Sequence, residues 1–163
     1  MTTIIDGTAG ITFPSGSGTQ AAQSKVLQVV QANTTSTTTT TSNSFVDTNL
    51  SAVITPLFTT SKILVLMAST IYFTRGSSQA GAKLQLVRGT TNLISQTDSS
   101  LFASGVGLTG IESIQQPFMQ YLDNPSTTSA TTYKIQFAVN TSTTGYFSWN
   151  GNPSYLTLME IAV

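Results

Sequence analysis

The sequence predicts an all-β fold, an antiparallel β-sandwich, from three observations. Thr, Val, Ile and aromatic residues dominate, and no stretch of a dozen residues repeats its apolar positions at helical spacing. Residues 133–139 carry apolar or aromatic side chains at every second position, as a strand with one buried face does. Gly, Asn, Pro, Ser and Asp separate this segment from others like it. Eight or nine strands at such spacing are typical of a sandwich or barrel.

The same criteria place the strands in order along the chain. They are predicted near 25–32, 44–54, 62–73, 81–88, 91–97, 111–122, 133–139, 144–149 and 154–162. Two of these segments, 63–68 and 155–161, are apolar on both faces, which a strand with one wet face would not show. In a two-layer sandwich their second face needs either a covering loop or another subunit, and the sequence leaves both alternatives open.

The first 24 residues have a different composition. Glycines lie among Ser, Thr and Ala, and the only apolar anchors are Ile4, Ile5, Ile11 and Phe13. The segment has too little apolar area to fold alone. We therefore expect it to become ordered only by docking on its own oligomer or on another protein. The predicted organisation is therefore an attachment arm, 1–24, followed by one sandwich domain, 25–163. The Thr-rich run 34–42 is predicted to be a solvated loop between strands.

Composition narrows the classes of partner. Six basic and six acidic residues give a formal net charge of zero, so no basic field exists to attract nucleic acid or anionic lipid. Cys is absent, so disulfides cannot hold the fold. The N-terminus lacks the pattern of a signal peptide, and no apolar run approaches a membrane span. We expect a soluble protein made in the cytoplasm, with neither nucleic acid nor membrane as a partner.

The residues that most catalytic mechanisms require are missing. Without His or Cys there can be no Ser-His-Asp or Cys-His arrangement, and no metal site built on imidazole or thiolate. The six acids are scattered, although a pair facing each other across a sugar stays open as a third hypothesis, a carbohydrate-degrading enzyme. We therefore expect no enzyme, no cofactor and no metal.

Two further patterns concern possible ligands. Residues 105–110 match G-x-G-x-x-G, but Pro117 breaks the helix that a dinucleotide site would need after it. Exposed aromatic side chains could bind a ligand. Phe73 and Phe147 are predicted to fill the core, whereas Tyr146 and Trp149, flanked by Gly and Asn, are predicted to lie at an exposed rim.

The sequence also resembles a known group of proteins. Residues 10–20, GITFPSGSGTQ, resemble the G-I-T-F-P-D-G-T-x-Q element of phage fibre and surface proteins, with Ser15 where Asp is usual. Short segments of the body continue the likeness, at 25–31, 45–48, 54–56, 61–65, 84–89 and 156–161. The resemblance implies a jelly-roll domain similar to the C1q and tumour-necrosis-factor group, which typically forms trimers and has no common catalytic residues.

The function that this resemblance implies is a non-enzymatic structural protein of a bacteriophage virion. Its form would be a homotrimeric surface knob that decorates or cements the capsid, made in the host bacterial cytoplasm. The alternative is a short tail fibre or receptor-binding tip, which is disfavoured because the chain has a short arm and no long repeats. Expected partners are the chain itself, other virion proteins such as the major capsid protein or a tail component, and host cell-surface carbohydrate. The predicted trimer interface comprises Leu64, Leu66, Leu156, Leu158, Met159 and Ile161.

Overall fold

The computed structural model describes residues 4–6, 10–12, 25–75, 79–95, 101–104 and 112–163. These residues form strands and one short 3₁₀ turn, Trp149–Gly151. None of their helices is long and apolar enough to cross a membrane. The strands are β1 (Ile4–Asp6), β2 (Gly10–Thr12), β3 (Val26–Thr34), β4 (Thr38–Thr40), β5 (Val46–Ile54), β6 (Lys62–Ala68), β7 (Ile71–Arg75), β8 (Gln79–Arg88), β9 (Thr91–Ser95), β10 (Leu101–Ser104), β11 (Glu112–Gln115), β12 (Phe118–Asp123), β13 (Thr131–Val139), β14 (Thr143–Phe147) and β15 (Ser154–Ile161).

One layer of the fold consists of four long strands, each interrupted near its middle. At one end the strand order is β12-β6-β15-β3, and at the other end it is β11-β7-β14-β4. The two orders match because each strand at one end continues along the chain into its counterpart at the other. We call these eight strands together the interrupted layer. All its pairs are antiparallel.

The facing layer has the order β10-β8-β13-β5, and β9 also pairs with β8, beside β10. We count each interrupted strand once, and we count β9 and β10 as one strand because both pair with β8. From β3 to β15, eight strands then follow one another in the chain. The interrupted layer then has the order 6-3-8-1, and the facing layer has the order 5-4-7-2. This connectivity is that of an eight-stranded jelly roll. The structure thus confirms the predicted antiparallel all-β sandwich.

The core lies between the two layers and follows the alternation of the strands. In β5, buried and exposed residues alternate from Asp47 to Ile54, as a sheet with one covered face requires. Each large apolar side chain buried in this way contributes about 1.5–3 kcal/mol. The largest fully buried side chains are Tyr133, Phe73, Phe137, Phe147, Leu50, Ile54, Ile63, Met67, Ile71, Leu84, Leu86 and Ile135.

Some predicted elements are corrected by the structure. The Thr-rich run 34–42 is not entirely loop, since Thr38–Thr40 forms β4 and pairs with Gly145–Phe147. The predicted strand 62–73 is two strands, broken at Ser69 and Thr70, and 111–122 is broken at Gln116 and Pro117. Proline has no N–H to give to a neighbouring strand, which explains the second break. The glycine-rich motif 105–110 lies outside the described residues.

Gly145 lies where the two layers approach each other closely. A Cβ atom at this position would meet the ring of Phe137 at 2.6 Å and Val139 at a shorter distance. Both neighbours are fully buried, so they have no free volume into which to move. We predict that Gly145→Ala lowers the free energy of unfolding by about 1–3 kcal/mol, the usual cost of overpacking a core. Urea denaturation measures the change, and Thr144→Ala, a partly exposed neighbour, is the control expected to change little.

Candidate interaction face

The outer face of the interrupted layer carries a row of four apolar side chains. The strand registers place Leu122 beside Leu64, Leu64 beside Met159, and Met159 beside Val29. The row therefore crosses all four strands β12, β6, β15 and β3. Leu122 and Val29 are 51% and 55% exposed, and the two central side chains are partly buried. We call these four residues the apolar row.

A second apolar group lies two rows away on the same face. Phe118 is 61% exposed and Tyr155 is 39% exposed, with Ala68 between them in the register. Pro117 and Pro153 join Phe118 and Tyr155 around an open cavity of about 270 Å³ at the point where the strands are interrupted. This cavity is wide enough to accept side chains from another surface.

The row between these two groups is mixed but carries no charge. It consists of Gln120, Leu66, Thr157 and Gln31. Across the three rows, none of the twelve side chains is charged; the fourth member of the Phe118 row is Asn33. Burying these three rows would therefore require no ion to be desolvated. Exposed apolar groups with a polar surround of this kind are typical of a protein–protein interface.

The predicted interface residues fall on opposite faces of their strands. Leu64, Leu66, Met159 and Ile161 are partly exposed on the outer face. Leu156 and Leu158 belong to the core cluster and are 0% exposed, so neither can contact a partner and the prediction is corrected for these two residues.

Several exposed outer-face residues escaped the sequence prediction. Val29, Phe118 and Leu122 were not predicted because their strands also contain polar residues, and only segments apolar on both faces were selected. The spacing of Phe118, Gln120 and Leu122 at every second position was the available signal, since these residues share one face.

A buried carboxylate fixes the strand that carries Met159. Glu160 is 0% exposed and accepts hydrogen bonds from Gln28 Nε2 at 2.6 Å and from the amides of Leu57 and Phe58 at 2.8 and 3.4 Å. Burial alone would raise the pKa of Glu160, but these hydrogen bonds outweigh it and hold the pKa below its usual value. The carboxylate thus ties the β5–β6 connection to β15.

A second polar group joins the two layers near the edge strand β12. Arg88 Nη1 donates to Asp123 Oδ1 and Oδ2 at 2.9 and 2.7 Å, and Tyr133 Oη donates to Oδ2 at 2.6 Å. Burial, and then the hydrogen bond to Asp123, raise the pKa of Tyr133 well above its usual value. The phenol therefore stays protonated and keeps donating. Because Asp123 follows Leu122 directly, this bond network holds the edge end of the apolar row in place.

At the other end of the interrupted layer, three aromatic rings contact one another. Tyr72 and Trp149 are stacked with ring centroids 4.3 Å apart, and Tyr146 lies 4.8 Å from Trp149 and 5.4 Å from Tyr72. Tyr146 and Trp149 are partly exposed, whereas Phe73 and Phe147 are fully buried as predicted. We call Tyr72, Tyr146 and Trp149 the aromatic cluster.

The described acids do not assemble into a metal-binding group. No three of the described Asp and Glu side chains come together, and Asp47 is held on the surface by Lys134 at 2.9 Å and Gln136 at 2.6 Å. Hydrogen bonds from Gln136 and then Lys134 lower the pKa of Asp47.

The predicted attachment arm is described only in part. Ile4 and Ile5 lie in β1 and Ile11 lies in β2, and these two short strands pair as an antiparallel hairpin. Phe13 lies outside the described residues.

Comparison with known proteins finds no matching family model and no matching curated protein. Among solved structures, the chain is similar to a structure of infectious bursal disease virus Gt strain, with 14% identity and a TM-score of 0.38, over 85% of this chain and 39% of that chain. It is also similar to the crystal structure of the infectious bursal disease virus VP2 subviral particle, with 10% identity and a TM-score of 0.40, over 85% of this chain and 38% of that chain. This chain therefore spans less than half of each of those chains, and the fold assignment rests on its own strand order.

Glu160 should make stability depend on acid pH. Its folded-state pKa lies below the usual 4.5, so its contribution is fully present above about pH 4.5 and is lost as the pH falls through the folded-state value. Glu160→Gln leaves the two amides and Gln28 with a weaker acceptor, so we predict a loss of about 1–3 kcal/mol at neutral pH. Urea denaturation between neutral and acid pH should show the two proteins converging below about pH 4.5.

The control for this prediction is Asp47→Asn, which removes an exposed carboxylate whose pKa is also lowered by hydrogen bonds and should cost far less. A constant difference between wild type and Glu160→Gln at every pH would contradict the ionised role of Glu160.

Proposed function

We propose that this protein is a non-enzymatic structural subunit of a bacteriophage virion, a homotrimeric knob that decorates or cements the capsid surface. The observation that carries the proposal is the group of three uncharged rows on the outer face of the interrupted layer, among them an apolar row that crosses all four strands. A monomer gains nothing from exposing such a face to water, whereas an oligomer buries it.

The position of the row favours a ring. Leu122 lies on the edge strand β12 and Val29 on the opposite edge strand β3, so the row runs from one edge of the layer to the other. The edge of one subunit can therefore pack against the face of the next in a head-to-tail contact, which closes into a ring when the rotation allows. The resemblance to the C1q and tumour-necrosis-factor group supports three subunits in that ring.

The virion location is supported by the sequence of the first 24 residues and by the end of the sandwich at which they join the domain. The arm contains the GITFP element that resembles phage surface proteins, and it joins the domain at Lys25. The amide of Ala162 donates to the carbonyl of Lys25 at 2.8 Å, so the arm attachment and the C-terminus lie at the same end of the sandwich. An arm bound to the capsid would turn this end inward and present the opposite end to the surroundings.

The alternative function, a short tail fibre or receptor-binding tip, is favoured by one observation. The aromatic cluster lies in the β11-β7-β14-β4 half of the interrupted layer, away from the arm attachment, and two of its rings keep exposed surface. A host-contacting protein would carry such groups at that end. Both functions act through contact, and neither requires catalysis.

Trimerisation should depend on the apolar row. Light scattering of the wild-type protein should give three times the chain mass of 17.2 kDa. Leu64→Asp introduces a charge at the centre of the row, where assembly would bury it unpaired, and should yield monomers. The control is Val53→Asp, which places the same charge at a 51% exposed position on the facing layer and should leave the trimer intact. A wild-type protein that is a stable monomer in solution would contradict the proposed trimer.

Attachment should depend on the arm. Deleting residues 1–24 should leave the sandwich folded, because the buried cluster of the described side chains begins at Leu50 and Val30 and Ala32 pack against it. The deletion should also remove the protein from purified particles. Circular dichroism tests the first expectation, and quantitative gel analysis of particles made with the truncated gene tests the second. Truncated protein at full copy number on particles would show that the arm is not the attachment element.

A further inference from the structure

We infer that the aromatic cluster is a binding site for a neutral saccharide. The inference stands on the cluster's own geometry and applies whether the protein lies on the capsid, on the tail or elsewhere. Its ligand would be the pyranose ring of a glycan, recognised through the apolar ring face and the surrounding hydroxyls.

The rings form a shaped surface instead of a filled core. Trp149 stacks on Tyr72 with an interplanar angle of 26°, while Tyr146 meets Trp149 at 60°. One side of the indole is thus supported by a largely buried tyrosine, and a second tyrosine stands at an angle to it. Trp149 retains exposed surface in this arrangement. The C–H face of a pyranose packs on an aromatic ring of this kind, and the angled ring restricts its orientation.

The turn that carries Trp149 is fixed before any ligand arrives. Its flanking residues Ser148 and Asn150 both have φ of 56°, a left-handed conformation that Asn tolerates but Ser rarely adopts. Strained backbone of this sort persists only where the surroundings hold it, and it is found most often at functional sites.

Buried hydrogen bonds fix the turn that carries Trp149. The Ser148 hydroxyl is 2.7 Å from that of Ser154, which is 2.7 Å from that of Ser69, and all three residues are buried. The Trp149 amide donates to the carbonyl of Thr70 at 3.1 Å, and the Thr37 hydroxyl donates to the carbonyl of Ser148 at 2.8 Å. An indole held in this way loses little freedom on binding, which favours affinity in a small site.

The polar groups around the rings indicate which saccharides fit. Glu112 is exposed beside Tyr72, where its carboxylate contributes, after burial, to raising the pKa of the phenol. Thr39 is exposed and pairs with Tyr146 in the register, and Asn150 is exposed on the turn. A carboxylate accepts hydrogen bonds from sugar hydroxyls and repels an anionic sugar. A neutral sugar is therefore preferred to a sialic or uronic acid.

A second copy of this chain is the other occupant to consider, because the cluster shares the outer face with the apolar row. The two regions differ in polarity. The apolar row and the two rows between it and the strand interruption carry no charge, whereas the cluster is bordered by the Glu112 carboxylate and by the exposed turn residues Asn150 and Asn152. Covering these groups with protein would require desolvating an ion, which disfavours a subunit contact there.

The chain contains one tryptophan, so its fluorescence reports on Trp149 alone. The full-length assembled protein would be titrated with maltotriose, cellotriose, chitotriose, mannotriose and, as the anionic comparison, sialyllactose. We expect at least one neutral trisaccharide to change the emission in a saturable way and to protect Trp149 from acrylamide quenching, with no saturable effect of sialyllactose.

Two variants keep the reporter and test the site. Tyr146→Ala removes the angled ring and should weaken binding by about twofold to tenfold, the range for one ring contact. Glu112→Gln replaces a charged hydrogen-bond acceptor by a neutral one and should also weaken binding, by a similar factor of about twofold to tenfold. Phe58→Ala is the control, an exposed aromatic residue outside both the cluster and the three uncharged rows, and should bind as wild type does. Thermal melting checks that each variant is folded.

Two outcomes would overturn the inference. One is the absence of saturable binding by any neutral saccharide of the panel. The other is a Trp149 that acrylamide cannot reach in the assembled protein but reaches in the Leu64→Asp monomer, which would assign the cluster to the subunit interface. Light scattering on the same samples reports the oligomeric state separately, so failure of the saccharide site and failure of the trimer are distinguishable.

Discussion

Every strand of a two-layer sandwich has one face that the opposite layer covers and one face that it leaves to solvent. This constraint governs the molecule, because the chain has no disulfide and only 7% charged residues with which to stabilise the fold or solvate its surface. Its inner faces satisfy the constraint with a continuous apolar core. Its outer faces carry many Thr, Ser, Asn and Gln side chains, but on the interrupted layer the apolar row remains partly or largely exposed.

The few ionised groups are placed where the fold needs a fixed geometry. Glu160 ties the β5–β6 connection to β15, and Asp123 joins Arg88 and Tyr133 across the two layers. A buried charge is costly unless its hydrogen bonds are all made, so such groups tolerate little displacement. Glu160 follows Met159 in the chain and Asp123 follows Leu122. The two carboxylates therefore fix the positions of the two apolar residues that assembly would use. Stability and surface geometry are coupled at these points.

The sequence predicted the strand content and the approximate positions of the strands along the chain, because alternation at a period of two is a local property. It could not tell which face of a strand apolar on both sides turns inward. Leu158 and Met159 are adjacent and similarly apolar, so the sequence does not distinguish which of them is buried. Leu158 is buried because its side chain lies on the face that the facing layer covers. For the same reason the sequence did not predict that Val29 and Leu122 belong to an exposed apolar row. Their strands carry enough polar residues to resemble ordinary half-buried strands. The aromatic cluster was predicted only as an exposed rim, since Tyr72 lies 77 positions before Trp149 and the register brings them together.

The interruption of the four strands links the two candidate surfaces. A straight strand would continue one uniform face from Leu64 to Tyr72. Instead, the chain between β14 and β15 inserts a turn, anchored by Ser148 and Ser154, that places Trp149 over Tyr72. This insertion ends the uncharged part of the face and begins one bordered by Glu112 and exposed asparagines. The same layer can therefore offer one half to another subunit and the other half to a soluble ligand, because a few buried hydroxyls change its surface between them.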